Sequence, residues 1–218
     1  LLGRGALTTI SVALLALALA TFLGVLGAWA KAGGGLIARG AAHTYTTIVR
    51  GIPDLVLILL VYFAGQRFLN DIGRSLDWDY VEISKFWAGV VAIGFIYGAY
   101  LTETFRGAYL AVPRGQLEAA RALGLRRLAI LWKVLAPQIL RFALPGYGNV
   151  WMVLVKSTAV ISVIGLEDLV GLADKAGKAT REPFLFFLAV IFVYLAITSV
   201  SNALLRRGEA WAGKGHPA

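Results

Sequence analysis

Residues 7–30 form a continuous run without a single charged side chain. About 20 mostly apolar residues are enough for a helix to cross the hydrocarbon core of a bilayer. The rest of the chain is also apolar, with 59% hydrophobic and 15% charged residues, against roughly 45–50% and about 25% in soluble domains. We therefore expect an all-α integral membrane protein.

Four further apolar stretches follow the first, so the sequence predicts five transmembrane helices in one domain covering residues 1–218. The second stretch is the weakest, because Asp54 and Arg67 interrupt it. The predicted spans are residues 7–30, 52–69, 86–110, 142–166 and 183–205.

The charges of the loops indicate the orientation. Three segments on one side of the predicted membrane (residues 31–50, 106–141 and 206–218) carry thirteen Lys and Arg residues and two acids. The segments on the other side carry eight basic and eight acidic residues. Cytoplasmic loops are enriched in Lys and Arg, so we expect the N-terminus outside and the C-terminus in the cytoplasm. The net charge of +9 is thus explained without nucleic-acid binding.

Motifs for catalysis are missing from the sequence. The segment Gly208–Lys214 matches the start of a phosphate-binding P-loop, but Gly215 stands where Ser or Thr is required. The chain has no cysteine and only two histidines, His43 and His216. We therefore predict no catalytic residue, no metal site and no cofactor on this chain, and any ATP hydrolysis must belong to a partner.

The segment 113–137 between the third and fourth predicted spans is basic and rich in good helix formers. Gly124 is placed to end a short helix at its C′ position. A helix shorter than about 12–15 residues is marginal in water, so it must lie against something. From the residues alone, it is either a helix on the membrane surface or a docking helix for a cytoplasmic partner.

The spacing within this segment resembles a known motif. Glu118-Ala119-Ala120, three residues, Gly124, nine residues and then Val134-Leu135-Ala136-Pro137 are similar to the EAA loop of permeases in binding-protein-dependent ABC importers. Val134 and Ala136 replace the usual Ile and Leu. The resemblance implies that Glu118, Ala119, Ala120 and Gly124 form a cytoplasmic coupling helix that docks on the ATPase.

Other segments resemble the polar amino-acid branch of these permeases, and in particular the Q-type permeases of histidine/lysine/arginine/ornithine and opine importers. These segments are residues 45–55, 98–107 and 156–159. The resemblance implies the type I importer permease fold in the bacterial inner membrane. Its expected partners are a second, related permease chain, two ATPase subunits that bind ATP and Mg²⁺, and a periplasmic binding protein.

The function implied is import of basic amino acids or opines by alternating access. Two alternatives stay open: a permease for other polar amino acids such as glutamine, and an ion-coupled secondary transporter. The second alternative is weakened because such transporters usually contain internal repeats, and none is evident here.

Two acids, Asp54 and Glu103, lie inside predicted spans. A charge at the bilayer centre costs about 2.5–3.5 kcal/mol on insertion scales, so such residues usually mark a pathway or an ion pair. We expect both acids at a similar depth in the cytoplasmic half, where they could neutralise a cationic substrate. Alternatively, Glu103 pairs with Arg50 or Arg106 in a structural or gating role, and Asp54 only favours a helix start.

Lys156, Ser157 and Thr158 interrupt the fourth predicted span with polar groups. Lys156 could bind a substrate carboxylate, or it could anchor a gate by capping carbonyls where the helix breaks. We favour the gate or structural role. In the third span, Gly94 and Gly98 have the small-x-x-x-small spacing that allows another helix to approach closely.

Overall fold

The computed structural model describes residues 1–213, and the side chains of residues 1–210. Lys214, Gly215 and His216, which belong to the rejected P-loop pattern and the tail, lie outside the described residues. Within residues 1–213 all regular structure is helical. Five of the helical segments are long and apolar enough to cross a membrane, which confirms the predicted all-helical architecture with five spans.

The helices are numbered in chain order, and two of them are joined to short stretches of π and 3₁₀ helix. Their bounds are α1 (Leu2–Gly33), α2 (Leu36–Gly51), α3 (Asp54–Ser75), α4 (Lys85–Leu110), α5 (Arg114–Ala122), α6 (Arg127–Ile130), a π turn (Leu131–Leu135), α7 (Ala136–Ser157), a 3₁₀ segment (Thr158–Ile164), α8 (Leu169–Thr180) and α9 (Pro183–Gly213).

Helix α4 is the centre of the bundle, and α1 packs along it in the same direction. A Cβ added to Gly94 would lie 2.9 Å from Leu19 Cβ, and one added to Gly98 would lie 2.9 Å from Leu23 Cβ. Since real Cβ atoms do not come this close, only glycine permits the observed separation of the two helices. The close contact expected at Gly94 and Gly98 is confirmed.

Helix α7 runs antiparallel to α4, because Ile161 lies against Gly89 and Thr104 lies against Gly146. Helix α9 in turn packs on α7, with Leu205 against Gly148. The bundle therefore has two ends. The α5 end contains α5, the C-terminus of α4 and the start of α7, and the α8 end contains α8, the start of α4 and the 3₁₀ segment.

The second predicted span, 52–69, differs from the observed helix α3, which runs over Asp54–Ser75. Pro53 occupies the N-cap position, and polar residues extend the helix at its other end. Asn70 Oδ1 accepts from Val81 N at 2.9 Å, and Gln66 Oε1 accepts from Ile83 N at 2.7 Å. These amides hold the returning extended chain against α3, which keeps its last turns helical.

The predicted loop 113–137 is too long, and the predicted fourth span, 142–166, begins too late. Helical structure resumes at Arg127 and continues through α6 and the π turn into α7. Lys133, which looks like a loop residue in sequence, lies exposed on this helix. The π turn ends at Leu135, two residues before Pro137. Proline has no N–H to donate to the preceding turn, and such a local change of helix type accommodates it.

The charged segment between the fourth and fifth spans is not a plain loop, because it contains α8. Asp168 Oδ1 caps this helix by accepting from Gly171 N at 2.8 Å. Leu169, Leu172 and Ala173 bury its apolar face. Helices α1 and α9 are longer than the predicted spans 7–30 and 183–205, because both continue into neighbouring polar residues.

Candidate transport site and docking surface

Helix α3 begins near the middle of the bundle rather than at one end. Its first residue, Asp54, contacts Tyr97, which lies about 18 Å from either end of α4 at 1.5 Å rise per residue. The preceding helix α2 starts at the α5 end, after the break at Gly34 and Gly35. The chain therefore enters the bundle, turns at Ile52–Pro53, and exits as α3 toward the α8 end.

The Asp54 carboxylate is held by two hydroxyl groups. Tyr97 Oη donates to Asp54 Oδ2 at 2.9 Å, and Ser157 Oγ lies 3.4 Å from the same oxygen. Tyr97 and Ser157 also hydrogen bond to each other. Among residues 1–213, no Lys, Arg or His nitrogen lies within 4.0 Å of this carboxylate. Because Asp54 is only partly buried, its negative charge is available to a cationic ligand.

Glu103 has a different environment, because it is shared by two cations. Its Oε1 pairs with Lys31 Nζ, and its Oε2 accepts from Arg106 Nε at 2.9 Å. Pairing with Arg106 is one of the alternatives derived from the sequence, whereas Arg50 lies over the Tyr100 ring instead. The carboxylate is therefore already neutralised within the chain.

The two acids do not lie at a similar depth, contrary to the expectation. Glu103 is seven residues from the end of α4 at Leu110, or about 10 Å. Asp54 contacts Tyr97, six residues farther from that end, or about 9 Å deeper. The sequence placed Asp54 too near the end because it gave no sign that α2 enters the bundle before α3 begins. One substrate side chain therefore does not meet both acids.

The three polar residues where α7 meets the 3₁₀ segment have different surroundings. Lys156 is exposed and makes no hydrogen bond or ion pair with any described residue. Ser157 faces Asp54 and Tyr97. Thr158 is 1% exposed and donates to the Val155 carbonyl at 2.7 Å where the helix tightens into the 3₁₀ segment. Capping of carbonyls at this break is thus provided by Thr158 and not by Lys156.

Helix α5 ends in a Schellman motif, in which a residue with positive φ closes the last turn. Gly124 has φ +73° and its N–H donates to the Arg121 carbonyl at 2.9 Å. Leu125 N donates to the Ala120 carbonyl at 3.2 Å. The predicted stop at Gly124 is confirmed, because glycine has no Cβ and adopts positive φ without a steric cost.

One face of α5 is exposed and the other rests on the chain. Glu118 and Ala119 are exposed, whereas Ala120 is 5% exposed and packs inside the chain. This corrects the predicted docking set, because a buried Ala120 side chain anchors α5 instead of facing a partner. Leu123, next to Gly124, is 80% exposed. Glu118, Ala119 and Leu123 are therefore part of the accessible surface, and so is Gly124.

Three residues of these sites were not singled out from the sequence: Tyr97, Lys31 and Leu123. Lys31 had a usable signal, since it is the basic residue in the last turn of α1 and an acid inside a span needs a cation. Tyr97 had none, because its hydroxyl meets Asp54 only through tertiary packing. Leu123 had none either, because its exposure follows from how α5 lies on the bundle.

The comparisons with known proteins agree with this geometry. Residues 20–210 match the family described as "Binding-protein-dependent transport system inner membrane component". The chain belongs to this family. It is thus a multi-pass permease of the inner membrane, a non-catalytic ABC transporter component whose system includes a binding protein and an ATPase.

Curated relatives of the permease cover almost its whole length. It is 45% identical over 202 residues to the histidine/lysine/arginine/ornithine transport system permease protein of Escherichia coli strain K12, covering 93% of this chain and 89% of that protein. It is 41% identical to the nopaline transport system permease protein of Agrobacterium fabrum strain C58, covering 98% and 92%.

A solved structure has the same fold. The crystal structure of an amino acid ABC transporter with histidines superimposes with a TM-score of 0.80 at 31% identity, covering 96% of the permease and 92% of that chain. The family assignment also rules out the ion-coupled secondary transporter that the sequence left open.

Proposed function

We propose that this permease imports basic amino acids, or opines built on them, from the periplasm to the cytoplasm. The observation that carries the proposal is the Asp54 carboxylate, which lies at mid-depth without a cationic partner among residues 1–213. Its relatives named for histidine, lysine, arginine and ornithine and for nopaline support this substrate class. A cationic side chain would complete the charge balance that Asp54 leaves open.

Two hydroxyls make Asp54 suitable for transient binding. A carboxylate paired with a fixed Lys or Arg would hold its partner permanently, whereas Tyr97 and Ser157 stabilise the empty site without supplying a charge. A passing ammonium or guanidinium group can then replace water at the remaining face of the carboxylate. Lys156, exposed one residue before Ser157, is available for the substrate carboxylate; the alternative is a role in a gate.

The end of the bundle that contains α5 is the one that would contact the ATPase. We assign the α5 end to the cytoplasm and the N-terminus to the outside, as the loop charges favour. Glu118, Ala119 and Leu123 would then enter the ATPase, while Ala120 and Gly124 shape the helix. The ATPase pair would bind ATP and Mg²⁺, and its closure would move α5 and switch the pathway between inward-facing and outward-facing states. The second permease is a related chain, as the resemblance to Q-type permeases implies.

The test is uptake by the complete importer reconstituted in proteoliposomes with its binding protein. We expect ATP-dependent uptake of labelled arginine, lysine, histidine and ornithine, and little uptake of glutamine or glutamate. Equal transport of glutamine would favour the broader polar amino-acid alternative. Binding proteins also select substrates. The affinity of the binding protein for each amino acid is therefore measured separately, and the uptake rates are compared at saturating concentrations of loaded binding protein.

A further inference from the structure

We propose that the polar cavity between α1, α2 and α4 binds the phosphate headgroup of an anionic phospholipid. The cavity has a volume of about 750 Å³. Its lining contains four cationic residues and one acid, together with His43 and the hydroxyls of Thr46, Thr47 and Tyr100. The inference does not depend on which amino acid is transported. The cationic residues are Lys31, Arg39, Arg50 and Arg106.

The lining retains a positive charge after its internal pairs are formed. Glu103, the acid of the cavity, is shared by Lys31 and Arg106. Arg39 and Arg50 have no carboxylate within 4.0 Å among residues 1–213. The Arg50 guanidinium lies 5.4 Å from the centroid of the Tyr100 ring, which orients it. Two guanidinium groups beside a cavity match the geometry of phosphate oxygens.

Helix α2 presents a basic face to the cavity. Arg39, His43, Thr46 or Thr47, and Arg50 recur every three or four residues, so they share one face of the helix, over the cavity. At its start, Leu36 and Ile37 are 87% and 89% exposed. Apolar side chains beside a basic face are typical of helices that contact acyl chains and headgroups together.

The depth of the cavity also suits a headgroup. Lys31 is in the last turn of α1, and Arg106 is four residues from the end of α4. The cavity therefore extends from the α5 end, at the level where the spans leave the hydrocarbon, to Arg50 and Tyr100, which is ten residues from the end of α4. Basic pockets between helices on the cytoplasmic side are known to accept anionic lipid headgroups. A lipid explains both the unpaired arginines and the exposed apolar residues, whereas a soluble anion explains only the arginines.

The first test measures lipid retention. The complete importer is purified in nanodiscs of phosphatidylcholine with phosphatidylglycerol, and the bound lipids are counted by native mass spectrometry. We expect the double variant Arg39→Gln/Arg50→Gln to retain phosphatidylglycerol roughly tenfold less well, because each basic residue near the surface contributes to the attraction. Arg67→Gln/Arg74→Gln removes the same charge from two exposed residues of α3 near the α8 end and is expected to retain it.

Undiminished retention in Arg39→Gln/Arg50→Gln would overturn the proposal. The variant Arg39→Lys/Arg50→Lys keeps both charges and is expected to retain most of the lipid, and it replaces the glutamine variant if that one fails to assemble. With the lysine variant, loss of lipid on raising the salt concentration supports the site, while salt-independent retention contradicts it.

A second test identifies the occupant. The chain has no cysteine, so Thr47→Cys, at an exposed position of the cavity lining, introduces a single label site on the permease and keeps both arginines. We expect a water-soluble maleimide to react with it in delipidated complex and phosphatidylglycerol to slow the reaction. Protection by millimolar inorganic phosphate alone would indicate that the occupant is a soluble anion and not a lipid. Protection that persists in delipidated complex without either additive would mean that a protein subunit covers the cavity. Either result overturns the lipid assignment.

Discussion

Tyr97 donates a hydrogen bond of 2.9 Å to the carboxylate of Asp54, the first residue of α3. Tyr97 is central in α4, so the bond places a negative charge at about the middle of the bundle. The contact joins the break before α3 to the most buried helix of the protein. It is therefore both a structural link and the basis of the proposed substrate site.

The first prediction concerns this carboxylate. Asp54→Asn keeps an acceptor for Tyr97 but removes the charge, so we expect arginine-stimulated ATP hydrolysis by the complete importer to fall about tenfold or more, with basal hydrolysis retained. Asp71→Asn, which neutralises an exposed acid on the same helix, is the matched control. A normal arginine response in Asp54→Asn would show that the carboxylate is only structural.

The second prediction concerns docking. Glu118→Arg reverses the charge on the exposed face of α5, so we expect ATP hydrolysis to continue without transport, while the variant still inserts in the membrane. Glu209→Arg reverses an exposed acid near the end of α9 and is expected to transport normally. Uptake and hydrolysis are measured on the same proteoliposomes. Normal uptake by Glu118→Arg would refute the docking assignment.

The third prediction concerns the Lys31–Glu103 pair. The Lys31 side chain is 8% exposed, so Glu103→Gln leaves a nearly buried cation with weaker compensation and is expected to cost about 2–4 kcal/mol of stability. Lys31→Met/Glu103→Gln removes both charges and should recover much of that loss. Thermal unfolding of the detergent-purified permease gives the comparison. Equal losses in the single and double variants would contradict the idea that the unpaired Lys31 charge destabilises Glu103→Gln.

The fourth prediction tests helix packing with two glycines of α4. Gly98→Ala places a Cβ 2.9 Å from Leu23 Cβ, so α1 and α4 must separate, at a cost of about 1–3 kcal/mol. Gly107→Ala meets no atom within 4 Å and is expected to be neutral or slightly stabilising, since alanine favours helices. The two variants carry the same chemical change, and similar unfolding temperatures would contradict the proposed close approach.

The fifth prediction follows from the cap of α8. Burial raises the pKa of Asp168 to about 6, and the backbone N–H of Gly171 opposes this shift only in part. Its Oδ2 atom is buried without a partner among the described residues. Since the folded state disfavours the ionised form, stability is expected to fall as the pH rises from the unfolded value near 4 to about 6.

Asp168→Asn keeps the acceptor for Gly171 and removes the charge. We expect it to stabilise the permease by about 1–2 kcal/mol at pH 7.5 and to have little effect at pH 4, as followed by thermal unfolding. Asp174→Asn, on the same helix but exposed and paired with Lys178, is the control. A stabilisation that does not change with pH would argue against titration of Asp168.

The helical class, the five spans and the short α5 helix with its glycine stop could all be predicted from the order of residues. Long apolar runs must be buried in lipid and must satisfy their backbone hydrogen bonds internally, so they form helices wherever they occur. Gly124 ends α5 by a local rule as well, because only a residue that tolerates positive φ closes the turn. These features depend on contiguous residues, so they can be predicted without knowing which helices pack against each segment.

Tertiary structure alone decided which polar residues meet across long distances in the sequence. Lys31 and Glu103 are 72 positions apart, and Ser157 is 103 positions from Asp54. Their contacts depend on α1 and α7 both packing on α4, and on α2 entering the bundle so that α3 starts at mid-depth. The same packing buries Ala120 and exposes Leu123. Apolar periodicity places a residue on a helix, but the partner of a polar side chain is chosen by how the helices lie against one another.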